Sequence, residues 1–187
     1  MAILKIARMG HPVLATPAGR VEDPKSPEIR RLVKDMVETM IDANGAGLAA
    51  PQVHVPLRVV VFQAPGERSD PGLSEEERFD HTAPQTVLIN PEIEVLGPEI
   101  EGGWEGCLSV PGLRGWVERP AHIRYRGVGL DGEMIDRVAR GFHARVVQHE
   151  CDHLDGRLYT SRISDMNRLI FESEIRHFHS NEGQTAS

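Results

Sequence analysis

The sequence contains 187 residues, of which 40% are hydrophobic and 26% are charged. These values are typical of a soluble globular protein, so we predict one domain over residues 1–187. A net charge of −7 argues against a broad nucleic-acid-binding surface, and no apolar run approaches the ~20 residues that cross a bilayer. Only two cysteines and no signal peptide are present, which favours a reduced, cytoplasmic protein.

The first clearly predicted element is a helix that follows an irregular arm at residues 1–25. Ser26 is a suitable N-cap and Pro27 suits the first helical position. Asn44 and Gly45 should end the helix. Between these signals the apolar residues recur at helical spacing over four turns, at Ile29, Leu32, Val33, Met36, Val37, Met40 and Ile41.

Residues 45–52 are small and glycine-bearing, with the sequence GAGLAAPQ. They could form a tight link between a helix and a strand, or a backbone that approaches a ligand closely, because glycine and alanine keep side chains out of the way. Residues 57–62 are rich in β-branched residues and predict a strand. The acidic residues 64–86, which contain proline and glycine, predict a long surface loop or insertion.

Further strands are predicted at residues 87–89, 93–96, 116–117 and 122–128, with a loop at 102–115 that holds Cys107. Asp131 and Gly132 indicate a hairpin turn before a strand at 134–135. A last helix is predicted at residues 164–176, and residues 179–187 predict a disordered polar tail.

Another predicted helix, which precedes the one at 164–176, carries the sequence His-Glu-Cys-Asp-His at residues 149–153. Positions i and i+4 share one helix face, so His149 and His153 could bind one metal ion, with Glu150 able to reach a water on it. They could also be ordinary helix residues satisfied by hydrogen bonds. The helix has little polar surface and should be buried, and Gly156 should end it.

The third ligand is open from the residues alone, since two ligands do not complete a zinc-type site. Cys151 faces away from the two histidines and is more readily explained as a small core residue. Cys107 could be a ligand, a buried core cysteine or a nucleophile activated by a histidine. The remaining histidines are further candidates.

Three segments together resemble the peptide deformylase family. They are residues 45–52 (GAGLAAPQ), residues 105–109 (EGCLS) and residues 148–154 (QHECDHL), in that order and spacing. The resemblance covers residues 3–178. It implies an α+β fold in which antiparallel strands surround a central H-E-x-x-H helix, with an N-terminal and a C-terminal helix. The loop at 64–86 is longer than in compact members.

The family resemblance implies hydrolysis of the N-formyl group of an N-terminal formyl-methionine on nascent polypeptides, with release of formate. Cys107, His149 and His153 would bind the metal and leave one position for water, whose pKa the metal lowers. Glu150 would move the proton, and the Gln52 amide and Leu108 N–H would stabilise the oxyanion. The residues implied to bind the substrate are Ala46, Gly47, Gly106, Phe142 and Val146.

The implied metal is one ferrous ion per chain, with Zn²⁺, Ni²⁺ or Co²⁺ able to substitute; mixed N/S ligation also suits zinc. A transient ribosome contact is implied too, although the C-terminal segment is not strongly basic. A zinc metallopeptidase would share H-E-x-x-H but normally takes a downstream His or Glu as third ligand. A non-catalytic metal-stabilised binding module would close the metal with a fourth protein ligand.

Overall fold

The structure is a computed structural model that describes residues 2–66 and 72–177. The α-helices in these ranges are α1 (Pro27–Asp42), α2 (Glu75–His81) and α3 (Gly141–Leu154). No helix in the described ranges combines the length and the apolar character that a membrane span requires.

The strands of the described ranges form two antiparallel sheets. One has five strands in the order β1-β2-β3-β6-β7, and the other has three in the order β4-β5-β8. The strands are β1 (Gly47–Ala49), β2 (Val59–Ala64), β3 (Ala83–Val95), β4 (Ile100–Cys107), β5 (Val110–Pro120), β6 (His122–Val128), β7 (Met134–Arg140) and β8 (Leu169–Phe171). Helices packed on antiparallel sheets agree with the predicted mixed class of fold.

Strand β2 lies between two helices. Val59 and Val61 pack in the core cluster that contains residues of α1, whereas Val60 and Phe62 pack in the cluster that contains residues of α3. Successive side chains of a strand point to opposite faces, so a strand that is covered on both faces needs an unbroken apolar run. The five-stranded sheet is therefore covered by α1 on one face and by α3 on the other.

The helix predicted from the first apolar stripe is confirmed. The Ser26 side chain accepts a hydrogen bond from the N–H of Ile29, and Pro27 is the first helical residue. Met36 and Met40 on its apolar face are fully buried. The chain then leaves the helix through Asn44, whose φ of +52° belongs to the left-handed region that asparagine tolerates.

The loop predicted at residues 102–115 was wrong, because β4 and β5 form a hairpin there. Glycines concealed the strand pattern, since they have no side chain to show an alternation. They are required by neighbouring side chains: a Cβ on Gly102 would lie 2.6 Å from the Trp116 ring, and one on Gly115 would lie 2.4 Å from Ile163 Cδ1. The two short strands predicted at 87–89 and 93–96 are parts of one longer strand, β3.

The surface loop predicted at residues 64–86 is only partly a loop. It contains α2, which Ser74 and Glu77 begin with a reciprocal capping box, and the start of β3. The acidic composition obscured this helix, because its residues carry no apolar stripe. Residues 67–71 lie outside the described residues.

The helix predicted at residues 164–176 was wrong over most of its length. Met166–Arg168 and Glu172–Glu174 are short 3₁₀ turns that flank β8, and the backbone is helical only at residues 175–177, where the described range ends. β8 pairs with β5, with Leu113 opposite Phe171. Pairing with a neighbouring strand has thus overridden a local helical spacing. The predicted disordered tail lies outside the described residues.

Candidate metal centre and active site

Helix α3 and the β4–β5 hairpin bring a thiol and two imidazoles together. The rings of His149 and His153 are 5.2 Å apart on one face of α3. Cys107, at the end of β4, places its Sγ 3.3 Å from His153 Nε2. One ligand atom from each of the three residues lies within 4.8 Å of the others. The structure therefore contains a Cys/His/His group that could hold a metal ion.

The donor atoms of this group fit a divalent transition metal. His149 Nδ1 donates to Glu105 Oε2 at 2.8 Å, which leaves its Nε2 for a ligand. His153 directs its Nε2 towards the sulfur, while its buried Nδ1 has no hydrogen-bond partner among the described residues. One sulfur and two imidazole nitrogens make a three-ligand set of the kind that keeps a fourth position open.

Glu150 lies beside this group and is almost fully buried, with 4% of its surface exposed. Its carboxylate packs on the backbone of Gly47, since a Cβ added there would lie 2.4 Å from Glu150 Oε1. The other oxygen, Oε2, has no hydrogen-bond partner in the described part of the chain. Burial raises the pKa of Glu150 to about 7, although the charge of His149 opposes the shift.

Gln52 is held with its amide NH₂ towards the cysteine. Its Oε1 accepts from the N–H of Ala49 at 2.8 Å, so the NH₂ group points the other way. That group donates to Ser109 Oγ at 3.1 Å and lies 3.4 Å from Cys107 Sγ. The segment 45–52 is thus β1 and a 3₁₀ turn, Ala50–Val53, which together position a side-chain donor.

The residues predicted for the site, except His153, line one cavity of about 500 Å³. It lies between β1 and the β4–β5 hairpin, with α3 forming part of its wall. Its lining includes Ala46, Gly47, Gln52, Gly106, Cys107, Leu108, Phe142, Val146, His149 and Glu150. Cys151 instead packs in the core with Val147 and Leu154, as predicted, and burial raises the pKa of its thiol.

The sequence prediction missed a group of charges with a buried centre that supports the site. We call Glu105, Arg119, Arg145, Asp152 and Arg162 the charged network. Arg119 is 2% exposed and donates to both oxygens of Glu105 at 2.6 and 2.8 Å and to Asp152 Oδ2 at 2.9 Å. Arg145 donates to Glu105 Oε1 at 2.7 Å, and Arg162 forms an ion pair with Asp152.

A signal for this network exists in β5. Gly115, Val117 and Arg119 share the inward face of the strand, and all three are buried. An arginine at an inward position of a strand requires a buried anion, because an unpaired charge is costly there. Its partner lies two residues before Cys107, in the same motif as the ligand.

The charged network acts on His149, a candidate metal ligand. Burial would raise the pKa of Glu105, but hydrogen bonds from Arg119 and His149 hold it well below its usual value. Burial would lower the pKa of His149, but bonds to Cys107 and Glu105 raise it well above the usual value. A fixed carboxylate on Nδ1 orients the ring and increases the basicity of a ligating imidazole.

Comparison with known proteins identifies the family. A sequence model described as polypeptide deformylase matches residues 3–169. Peptide deformylase 1 of Bordetella pertussis is 52% identical over 166 residues, which are 88% of this chain and 89% of that protein. The chain belongs to the peptide deformylase family. Peptide deformylase 1 of Nitrosomonas europaea is 49% identical over 173 residues, covering 92% of this chain and 94% of that one.

Solved structures of peptide deformylases are also similar to this chain. A peptide deformylase from Ehrlichia chaffeensis is 33% identical with a TM-score of 0.79 and covers 97% of both chains. The actinonin-bound class I type b peptide deformylase from Acinetobacter baumannii is 37% identical with a TM-score of 0.73 and covers 88% of this chain and all of that one.

The family match decides between the predicted functions. The chain is a metal-dependent hydrolase that removes the N-formyl group from the N-terminal formyl-methionine of nascent polypeptides and releases formate. We set aside the alternatives of a zinc metallopeptidase and a non-catalytic binding module, because the family model that matches most of the chain is that of the polypeptide deformylases.

Proposed function

We propose that Cys107, His149 and His153 hold one divalent ion and that deformylation takes place in the cavity beside it. The observation that carries the proposal is the meeting of three ligand atoms within 4.8 Å at a cavity that Glu150 also lines. The ion is Fe²⁺ in the cell, and Zn²⁺, Ni²⁺ or Co²⁺ can replace it in purified protein. When bound, it polarises the formyl carbonyl and lowers the pKa of a water molecule.

Glu150 is proposed as the general base and acid. It takes the proton of the attacking water and delivers it to the amine of methionine as the carbon–nitrogen bond breaks. Its position supports this role, because its carboxylate lies against Gly47 at the cavity and Oε2 has no competing partner among the described residues. A buried carboxylate without a fixed partner is costly in a purely structural role.

Two donors are proposed to stabilise the negative charge that develops on the formyl oxygen. One is the Gln52 NH₂ group, which the bond from Ala49 to Gln52 Oε1 turns towards Cys107. The other is the backbone N–H of Leu108, the residue after Cys107. Donors that are already oriented stabilise an oxyanion without reorganisation during the reaction.

The substrate peptide is proposed to run along the free edge of β1. β1 is the outer strand of its sheet, and the Ala46 carbonyl accepts from Gln63 on β2. Polar backbone groups alternate between the two sides of a strand, so Gly47 directs its N–H and C=O away from β2, towards the cavity. Gly106 lies on the opposite wall, and an extended peptide fits between them as an added strand.

The methionine side chain is proposed to occupy the part of the cavity that Phe142 and Val146 line. Both lie on α3, Phe142 two turns and Val146 one turn before His149, and Val146 is 6% exposed. An unbranched thioether adapts to such an apolar wall. The crowding of Gly47 by Glu150 leaves room for a formyl hydrogen and excludes an acetyl methyl, so formyl-Met peptides should react far faster than acetyl-Met peptides.

The chain is further proposed to be one catalytic domain that acts in the cytoplasm, where nascent chains are made, with transient contact to the ribosome.

Formate release from formyl-Met peptides tests these roles, with metal content measured on the same anaerobically purified samples. Glu150→Gln should keep its metal and lose roughly 10²–10⁴-fold in kcat, because glutamine cannot accept the proton. Cys107→Ser should lose metal and turnover together, since a hydroxyl is a poor ligand. Cys151→Ser is the matched control and should keep both. A Glu150→Gln enzyme with most of its activity, or a metal-free Cys151→Ser protein, would show that the roles are misassigned.

A further inference from the structure

An exposed ion pair stands at the rim of the catalytic cavity. Arg114 on β5 and Glu172 in the turn after β8 both line the cavity. Arg114 Nε donates to Glu172 Oε1 at 3.0 Å, and its Nη2 donates to the same oxygen. The two side chains are 38% and 54% exposed, so solutes can reach them, in contrast to the buried Glu105–Arg119 pair.

The Arg114 guanidinium lies directly on the wall of the proposed peptide path. A Cβ on Gly106 would come within 2.8 Å of Arg114 Nη1 and 2.9 Å of Cζ, so the glycine is what allows the cation to rest on the backbone. Gly106 faces the free edge of β1 across the cavity. A peptide that lies between the two strands therefore passes beside Arg114.

The C-terminal segment supplies the anion at this point. β8 pairs with β5 so that Leu113 is opposite Phe171 and Arg114 is opposite Ile170. This register brings Glu172, the residue after Phe171, next to the side chain of Arg114. The pair thus depends on the strand that replaces the helix expected from the sequence.

We propose that Glu172 masks Arg114 as a carboxylate-binding site, so that the enzyme does not favour short formylated peptides with a free α-carboxylate. This inference rests on the proposed peptide path. An uncovered guanidinium binds a carboxylate through two parallel hydrogen bonds, and it would capture the C-terminus of a short peptide. Glu172 occupies Nε and Nη2, so it covers one of the two edges that could bind such a carboxylate and shares Nη2 with the other, and it adds a like charge. A long nascent chain has no terminal carboxylate near this point, so the mask does not impede it.

The test is the ratio of kcat/KM for a free acid to that for its amide, measured on formyl-Met-Ala and formyl-Met-Ala-Ser. Glu172→Gln should raise the ratio for at least one length by roughly two- to five-fold, the range expected for an exposed charge pair. The gain should shrink in 0.5 M salt, because exposed charges are screened. Adding Arg114→Gln to Glu172→Gln should abolish the gain.

Asp136→Asn is the matched control. Asp136 on β7 pairs with Arg124 on β6, at the other end of the five-stranded sheet from β1. Replacing Asp136 by asparagine changes the net charge by the same amount as Glu172→Gln. An unchanged ratio in Glu172→Gln, or an equal rise in Asp136→Asn, would overturn the inference. Wild-type protein that does not cleave the amides at all would instead contradict the proposed function.

Discussion

Two of the three buried histidines of helix α3, His149 and His143, have pKa values shifted in opposite directions. His149 donates to Glu105, and the bonds of the site raise its pKa well above the usual value in spite of burial. His143, in the first turn, has no carboxylate partner among the described residues: Nδ1 donates to the Asp80 carbonyl of α2 at 2.8 Å, and Nε2 accepts from the Tyr125 hydroxyl at 3.1 Å. Burial lowers the pKa of His143 to about 4, against the opposing effect of the Asp80 bond.

The difference shows that the hydrogen-bond partners decide whether the effect of burial on the pKa of a histidine is overcome. The C-terminal half of α3 is surrounded by compensated charges, which orient the ligands. At the N-terminal end, the groups in contact with His143 are neutral: the Asp80 carbonyl, the Tyr125 hydroxyl and the Phe62 ring. Arg137 lies nearby, and its charge further opposes a charge on His143. One end of the helix is therefore arranged for chemistry and the other for docking onto α2.

The largest loss of stability is expected when the central cation of the charged network, Arg119, is removed. Arg119→Met leaves Glu105 and Asp152 buried with fewer partners, which should cost about 3–5 kcal/mol of the free energy of unfolding. Urea denaturation measures the loss. Arg124→Met, the same exchange in an exposed pair with Asp136, is the control and should move the midpoint little. Equal losses in both variants would mean that burial does not distinguish the two pairs.

The second prediction concerns the neutral end of α3. In the unfolded chain a histidine binds a proton near pH 6.5, whereas folded His143 does so only near pH 4. The unfolded state therefore binds more protons between these values, and stability falls as the pH decreases through this window and levels off below it. The loss is about 3 kcal/mol in total. His143→Gln cannot titrate, so its unfolding free energy should depend less steeply on pH between 6.5 and 4.

Tyr125→Phe is the control for that slope. It removes the hydroxyl partner and lowers the stability by about 1 kcal/mol, but the buried histidine remains and the slope should persist. Equal slopes for wild type and His143→Gln would contradict a neutral buried His143.

The charged network contributes to stability over a different pH range. Because the pKa of Glu105 is held low in the folded state, its contribution to stability is present above the ordinary value of 4.5 and is lost as the pH falls below it.

The smallest expected effect tests the link between the charged network and the metal. Glu105→Gln keeps the shape of the side chain but weakens its bond to His149 Nδ1, so metal affinity should fall about 10–100-fold. Competition with a chelator measures this. Glu118→Gln, an exposed neighbour of Arg119 on β5, should retain wild-type affinity. An unchanged affinity in Glu105→Gln would limit the network to a structural role.

Local patterns of the sequence were sufficient for the elements that depend on local chemistry. The caps and apolar stripe of α1, the unbroken apolar run of β2 and the end of α3 at Gly156, with a φ of +70°, are all found as predicted. All the residues expected in the site except His153 also line one cavity, and most of them lie in three short motifs. Each of these elements, and each motif, is specified by residues that are close together in the chain.

Other features depend on partners that are distant in the chain. The hairpin of β4 and β5 is rich in glycines because side chains such as Trp116 and Arg114 need their space, which no local pattern reveals. β8 is a strand only because β5 offers it a free edge.

The sequence by itself determined the family and the spacing of the candidate metal ligands His149 and His153 on one helix face, because i and i+4 positions and motif order are properties of the chain. Only the tertiary structure decided that Glu105 orients His149, that Arg119 compensates it from 14 residues away, and that Glu172 reaches Arg114 from 58 residues away. Electrostatic compensation acts through space, so its partners are known only when the fold has brought them within hydrogen-bonding distance.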